Sequence, residues 1–124
     1  MARIWSCLML TALASHAWSA GQLVDLQWST QGHFRHTATL QPGAVLEVCG
    51  PLEAGMVVNW SFTADQPLES NVHYHEGERV TYPAKHPPLQ KLDARLVVDG
   101  KHEFCWMWRN RQNAAVALEL ELRR

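Results

Sequence analysis

The chain has 124 residues, with 11 Lys and Arg against 12 Asp and Glu and a formal net charge of −1. That length supports one domain rather than two. The near-balanced charge gives no footprint for nucleic acid, which needs a clustered basic face.

The first twenty residues differ from the rest. Arg3 supplies one positive charge, Ile4 to Ala14 is apolar except for Ser6 and Thr11, and no acid precedes Asp25. Ala17-Trp18-Ser19-Ala20 then provides small residues where a signal peptidase could cut, after Ser19 or Ala20. A short charged region, an apolar region of about ten residues and a small-residue end are the marks of a removable signal peptide. The apolar run is too short to span a bilayer, which needs about 20 residues. Cys7 lies inside that run and not just after a cleavage box, so no lipid anchor is expected. Residues 1–20 are therefore read as a signal peptide, and residues 21–124 as the exported domain, periplasmic or secreted, with a net charge of −2.

From Gly21 onward, apolar and polar residues alternate, the period of half-buried strands. Val24, Leu26 and Trp28 share one face, then Phe34, His36, Ala38 and Leu40. Gln41-Pro42-Gly43 makes a turn, and Val45 to Cys49 is an apolar strand ended by Gly50-Pro51. Met56, Val58, Trp60 and Phe62 form the next face, and Asn71 to His75 a further strand turned by Glu76-Gly77-Glu78 and continued by Val80 and Tyr82. Pro83 to Pro88 reads as a proline-rich loop. Leu92 to Val98 alternates again, and Asp99-Gly100 reads as a hairpin turn whose residues tolerate positive φ. His102, Phe104, Trp106 and Trp108 share a face, as do Val116, Leu118, Leu120 and Leu122. The composition of that last stretch suits a helix, but a helix would spread Glu119 and Glu121 over two faces, so a strand is expected. Roughly eight short strands with turns between them predict an all-β fold, an antiparallel β-sandwich or small barrel.

Two cysteines, Cys49 and Cys105, remain in the exported part. An even pair in an oxidising compartment reads as a disulfide, the alternative being two buried free thiols. Closing a loop of some 56 residues contributes roughly 4 kcal/mol in the chain-entropy model.

From about Val45 to Leu122 the chain resembles the GOLD domain, the lumenal β-sandwich of p24 cargo receptors and some lipid-transfer proteins. The likeness rests on Val58-Asn59-Trp60-Ser61-Phe62, on Asn71-Val72-His73-Tyr74-His75, on Gly100-Lys101-His102-Glu103-Phe104-Cys105-Trp106, and on Trp108-Arg109-Asn110. The resemblance implies a sandwich in which Cys105 pairs with a cysteine near the domain's start, where Cys49 stands. His102 departs from the family's Tyr, and no transmembrane helix or sorting tail is expected after Arg124. The resemblance thus implies a stand-alone exported module rather than a membrane cargo receptor.

Candidate chemistry is sparse. His73 and His75, at i and i+2 of a strand, point to one face, with Glu78 close behind. Imidazole and carboxylate suit Cu²⁺ or Zn²⁺, and His86 or His102 could complete a site. The alternative is a solvated strand face. The same His-x-His resembles the cupin motif, although Glu76 and Glu78 stand too close to it and the second cupin half is missing. Trp106 and Trp108 could form an exposed ligand-stacking row, or pack the core, the commoner role. Asn59-Trp60-Ser61 matches a glycosylation acceptor placed mid-strand. No G-x-S-x-G, H-E-x-x-H or phosphate-cradling loop is present. A disulfide would also occupy both exported thiols, so no catalytic residue is assigned. The sequence therefore points first to a non-enzymatic binding module for a protein or small ligand, second to a periplasmic metal-binding protein, and last to a small cupin-like enzyme.

Overall fold

The computed structural model describes residues 21–124. The signal-peptide reading of residues 1–20 lies outside the described residues.

Seven strands form the fold: β1 (Gln22–Asp25), β2 (His33–Leu40), β3 (Val45–Leu52), β4 (Val57–Glu76), β5 (Arg79–Val97), β6 (His102–Arg109) and β7 (Val116–Arg123). They lie in one curled mixed sheet in the order β1-β3-β6-β4-β7-β2, with β5 on the other edge of β4. All pairings are antiparallel except β1 with β3, which is parallel. The all-β expectation is met. The fully antiparallel expectation is corrected at β1.

The strand count is corrected too, because two expected breaks are absent. Val57–Thr63 and Asn71–His75 belong to one 20-residue strand, β4. Pro83 to Pro88 lies within the 19-residue β5 rather than in a loop. Proline cannot donate to a ladder, but β5 pairs with β4 alone and so has an edge to spare. The β4–β5 register also slips between Leu68 and Ser70 and between Val72 and Tyr74, opposite Pro87-Pro88 and Pro83 respectively. Gly50-Pro51 likewise sits inside β3. A side chain on Gly50 would collide with Leu26, whose Cβ lies 2.7 Å from the position of an added Cβ.

The turn chemistry was legible at Gln41-Pro42-Gly43. Ala44 N–H donates to Gln41 C=O at 2.9 Å, and Gly43 adopts φ 78°, the left-handed position a type II turn needs. Asp99-Gly100 is different. Gly100 is not among the positive-φ residues. Val98 is instead held by the 53–56 connection, its N–H donating to Met56 C=O and its C=O accepting from Gly55 N–H.

The long β4 organises the molecule by serving both halves. Asn59 to Ala64 pairs with β7, and Glu69 to Tyr74 pairs with β6. The curl brings the inward residues of both halves together. Leu46, Val48 and Leu52 of β3, Phe104, Trp106 and Trp108 of β6, and Val116 to Leu122 of β7 close on Val58, Trp60, Phe62, Leu68 and Val72 of β4. Trp108 lies edge-on to both Trp60 and Phe62, at ring-centroid distances of 6.2 and 6.0 Å. This bears out core packing, the commoner role, for Trp106 and Trp108 and corrects the exposed ligand-stacking alternative. Both are fully buried, because the even-numbered face of β6 points into the curl.

The Cys49–Cys105 disulfide forms as expected. It does not tie two ends of a sandwich together. The two residues sit opposite each other on neighbouring strands β3 and β6, with Cα atoms 4.1 Å apart, on the outer face.

Candidate functional site

On the C-terminal half of β4, Val72 and Tyr74 turn inward, so Asn71, His73 and His75 share the outer face. His73 lies opposite Cys105, and Asn71 opposite Met107. Met107 in turn faces Glu47 of β3. His73 reaches over β6 to that carboxylate, with Nε2 3.3 Å from Glu47 Oε1. Its Nδ1 lies 2.8 Å from Asn71 Oδ1. The His75 ring stands edge-on at 5.3 Å, and the Tyr82 ring of β5 lies at 5.6 Å. These neighbours leave an outward-facing histidine only 4% exposed.

Burial holds the His73 pKa below the ordinary imidazole value; the Glu47 carboxylate opposes that shift and His75 adds to it. A neutral ring has one donor and one acceptor nitrogen. The Nε2–H can donate to Glu47, and Nδ1 is then satisfied if the Asn71 amide turns its NH₂ toward the ring, a rotation that exchanges atoms of nearly equal size. Protonation would make both nitrogens donors and strengthen the Glu47 contact.

Beside this cluster runs a groove of about 210 Å³ lined by Glu69, Asn71, Tyr82, Lys85, Met107 and Arg109. Tyr82 is 44% exposed, and the Lys85 ammonium sits 4.2 Å above its ring centroid. Glu69 is engaged by Arg111 at 2.7 Å. Among the described residues, Lys85 and Arg109 have no carboxylate within ion-pair distance. The groove therefore presents two free cations, an aromatic face and an amide.

The residues suggested as metal ligands are only partly brought together. His73 and His75 touch, but Glu78 is exposed in the turn after β4. His102 stacks on Tyr74 at 3.9 Å and His86 packs against Trp60 at 5.6 Å, both on the inward side. Among the described residues, no group of three or more His, Cys, Asp and Glu is placed to hold a metal ion. Both nitrogens of His73 are already occupied. Sequence reasoning found His73 and His75 from their spacing. It missed Glu47, Tyr82, Lys85 and Arg109, which come from three other strands; the alternation of β4 alone carries no sign of them.

A second depression, about 390 Å³, lies on the outer face of β2, β7 and the N-terminal half of β4. Thr37, Ser61 and Thr63 line it beside the Arg35–Glu121 ion pair, whose atoms are 3.6 Å apart.

No protein-family model matches the chain. No curated protein matches it in sequence. Solved structures do match its fold. The periplasmic inhibitor of g-type lysozyme from Aeromonas hydrophila is 10% identical with a TM-score of 0.59, the match covering 83% of this chain and 96% of that one. The pre-peptidase C-terminal domain of a collagenase from Bacillus anthracis is 13% identical with a TM-score of 0.57, covering 83% and 94%. At such identities the likeness speaks for the fold alone.

Proposed function

We propose that this chain is an exported, non-enzymatic binding module whose partner is a protein, and that the groove at Tyr82 is where the partner docks. The observation that carries the reading is the pairing of an exposed aromatic with two unneutralised cations, Lys85 and Arg109, on a platform backed by a disulfide. Tyr and Arg dominate the energetics of protein interfaces, and a rigid support keeps the ordering cost of binding low. The disulfide agrees with an oxidising compartment, and therefore with the leader reading of residues 1–20. The GOLD resemblance points to the same kind of exported β-module. So does the fold's likeness to a periplasmic inhibitor, a protein that acts on another protein.

The partner class we propose is an enzyme of the cell envelope, with g-type lysozyme as the probe. Calorimetric titration of the purified chain with g-type lysozyme is expected to give a saturable complex. Tyr82→Ala combined with Lys85→Glu and Arg109→Glu should weaken it at least tenfold, about 1.4 kcal/mol. Absence of a complex, or a complex indifferent to these substitutions, rejects the reading. Equilibrium dialysis against Cu²⁺ and Zn²⁺ is expected to find no sub-micromolar site. A tight site lost in His73→Ala/His75→Ala would instead favour the metal-binding alternative.

A further inference from the structure

Three strands leave an edge without a partner among the described residues: β1, β5 and β2. An unpaired edge is a template for another strand, and proteins usually blunt it by shortness, proline, bulges or lysine. Two of the three edges here are blunted. β1 has four residues. β5 carries Pro83, Pro87 and Pro88, three register slips against β4, and Lys85 and Lys91. β2 has none of these, and its one permanently charged residue, Arg35, is drawn toward Glu121 of β7 at 3.6 Å. It is eight residues long, contains no proline or lysine, and runs against β7 in unbroken register from His33–Arg123 to Leu40–Val116.

The hydrogen bonds at its start show which groups face the open side. Arg124 N–H donates to Gly32 C=O at 3.0 Å, extending the β2–β7 ladder by one bonded pair. In an antiparallel ladder, alternate residues bond the same neighbour. Phe34, His36, Ala38 and Leu40 therefore bond β7, and the odd-numbered residues direct their N–H and C=O outward. His33 agrees with this. Its N–H donates to Ser29 Oγ at 3.1 Å, and its C=O accepts from Ser29 N–H at 2.8 Å, which caps the edge at that end. Arg35, Thr37 and Thr39 remain with three donors and three acceptors open to the outside.

We propose that a second copy of this chain occupies the edge, with β2 pairing antiparallel to β2 about a two-fold axis through Thr37. In that register Thr37 faces Thr37 of the second copy, and Arg35 faces its Thr39. All three open residues on each strand then become bonded pairs, giving six N–H···O bonds. The same register sets Phe34 against Leu40 and His36 against Ala38 on the core side, covering half-buried apolar groups. Charge selects it as well, since Arg35 and His33 meet only Thr39 and Gln41. Moving the axis to His36 would oppose two histidines and set Thr39 of each copy against the capped His33 of the other, leaving two bonded pairs instead of three. Registers offset by one residue place core-side groups opposite solvent-side ones. The result is a sheet continuous through β7-β2-β2-β7 of the two copies.

Sedimentation equilibrium of the disulfide-bonded protein over a concentration series tests this. The expected result is a reversible dimer. Thr37→Pro should be monomeric yet keep the wild-type circular dichroism, because the Thr37 N–H bonds nothing among the described residues of its own chain. Under oxidising conditions, Thr37→Cys should cross-link two copies, and Thr39→Cys, which faces Arg35, should not. This second pair of variants decides the register if proline disturbs the fold. A protein monomeric at every concentration overturns the proposal. So does a dimer that survives Thr37→Pro with its fold intact, or one in which Thr39→Cys cross-links as readily as Thr37→Cys. The Tyr82 groove lies on other strands, so its binding assay is independent of this outcome.

Discussion

The two halves of the sheet share one long strand but finish their outer faces differently. Around β3, β6 and the C-terminal half of β4, the outer face carries the disulfide and the buried His73, covered by Glu47, His75 and Tyr82. Around β2, β7 and the N-terminal half of β4, it carries short hydroxyl side chains and an exposed ion pair. The inner faces are alike, both apolar and both closed on the same tryptophans. Folding stability is therefore a common property of the two halves, and their outer faces are where they differ in role. The first half builds a covered, cross-linked platform for a groove. The second keeps a plain ladder whose outermost backbone groups are open.

The comparison breaks first at the shared core. Trp108→Ala is expected to cost about 3–5 kcal/mol, the range for deleting a buried tryptophan side chain. Because Trp108 touches Trp60 and Phe62 from the other half, amide exchange should accelerate in β6 and β7 together. Acceleration confined to one half would mean the halves are separate folding units. Trp108→Phe keeps a ring and removes an indole N–H that has no partner, so it should cost less than the alanine variant in denaturant titration. Cys49→Ala/Cys105→Ala comes next, with an expected loss of about 2–4 kcal/mol. Here exchange should rise in β3 and β6 before β2 and β7; a uniform rise would show that the cross-link does not favour its own half.

Asn110 tests the seam between the halves. It is fully buried after β6, and its amide donates to Leu40 C=O and Ala114 C=O at 2.9 Å each while accepting from Gln112 N–H at 2.8 Å. Asn110→Ala leaves those groups unpaired and should cost about 1–3 kcal/mol by thermal or chemical unfolding. The smallest expected effect is the pH dependence of His73. Its folded pKa lies below the unfolded value of about 6.5, so the unfolded chain takes up more protons in acid. The contribution is complete above the unfolded value and lost as pH falls through the folded one. His73→Gln should flatten that part of the stability profile. Parallel profiles for the variant and the wild type would show that His73, the one buried titratable group among the described residues, does not set the first half apart.

Much of the molecule was legible in the alternation of residues such as Phe104, Trp106 and Trp108, because side-chain period reports burial directly. The cysteine pair was legible from count and compartment. The lengths of β4 and β5 were not. Pro83, Pro87 and Pro88 signal a break wherever both edges of a strand must bond, and only the sheet order shows that β5 has one edge free. The site was legible by half: the i, i+2 spacing put His73 and His75 on one face, but Glu47 and Tyr82 lie on other strands.

By itself, then, the sequence determined which side chains turn inward, where the tightest turn falls and which thiols pair, since these follow from local backbone chemistry and from a period of two. The tertiary structure decided that the Cys49–Cys105 bridge links adjacent strands, that an outward histidine becomes buried, and which edges stay open. Those outcomes depend on strand order and register. In a sheet dominated by contacts between distant segments, order and register arise from the pairing of whole strands rather than from any one stretch of chain.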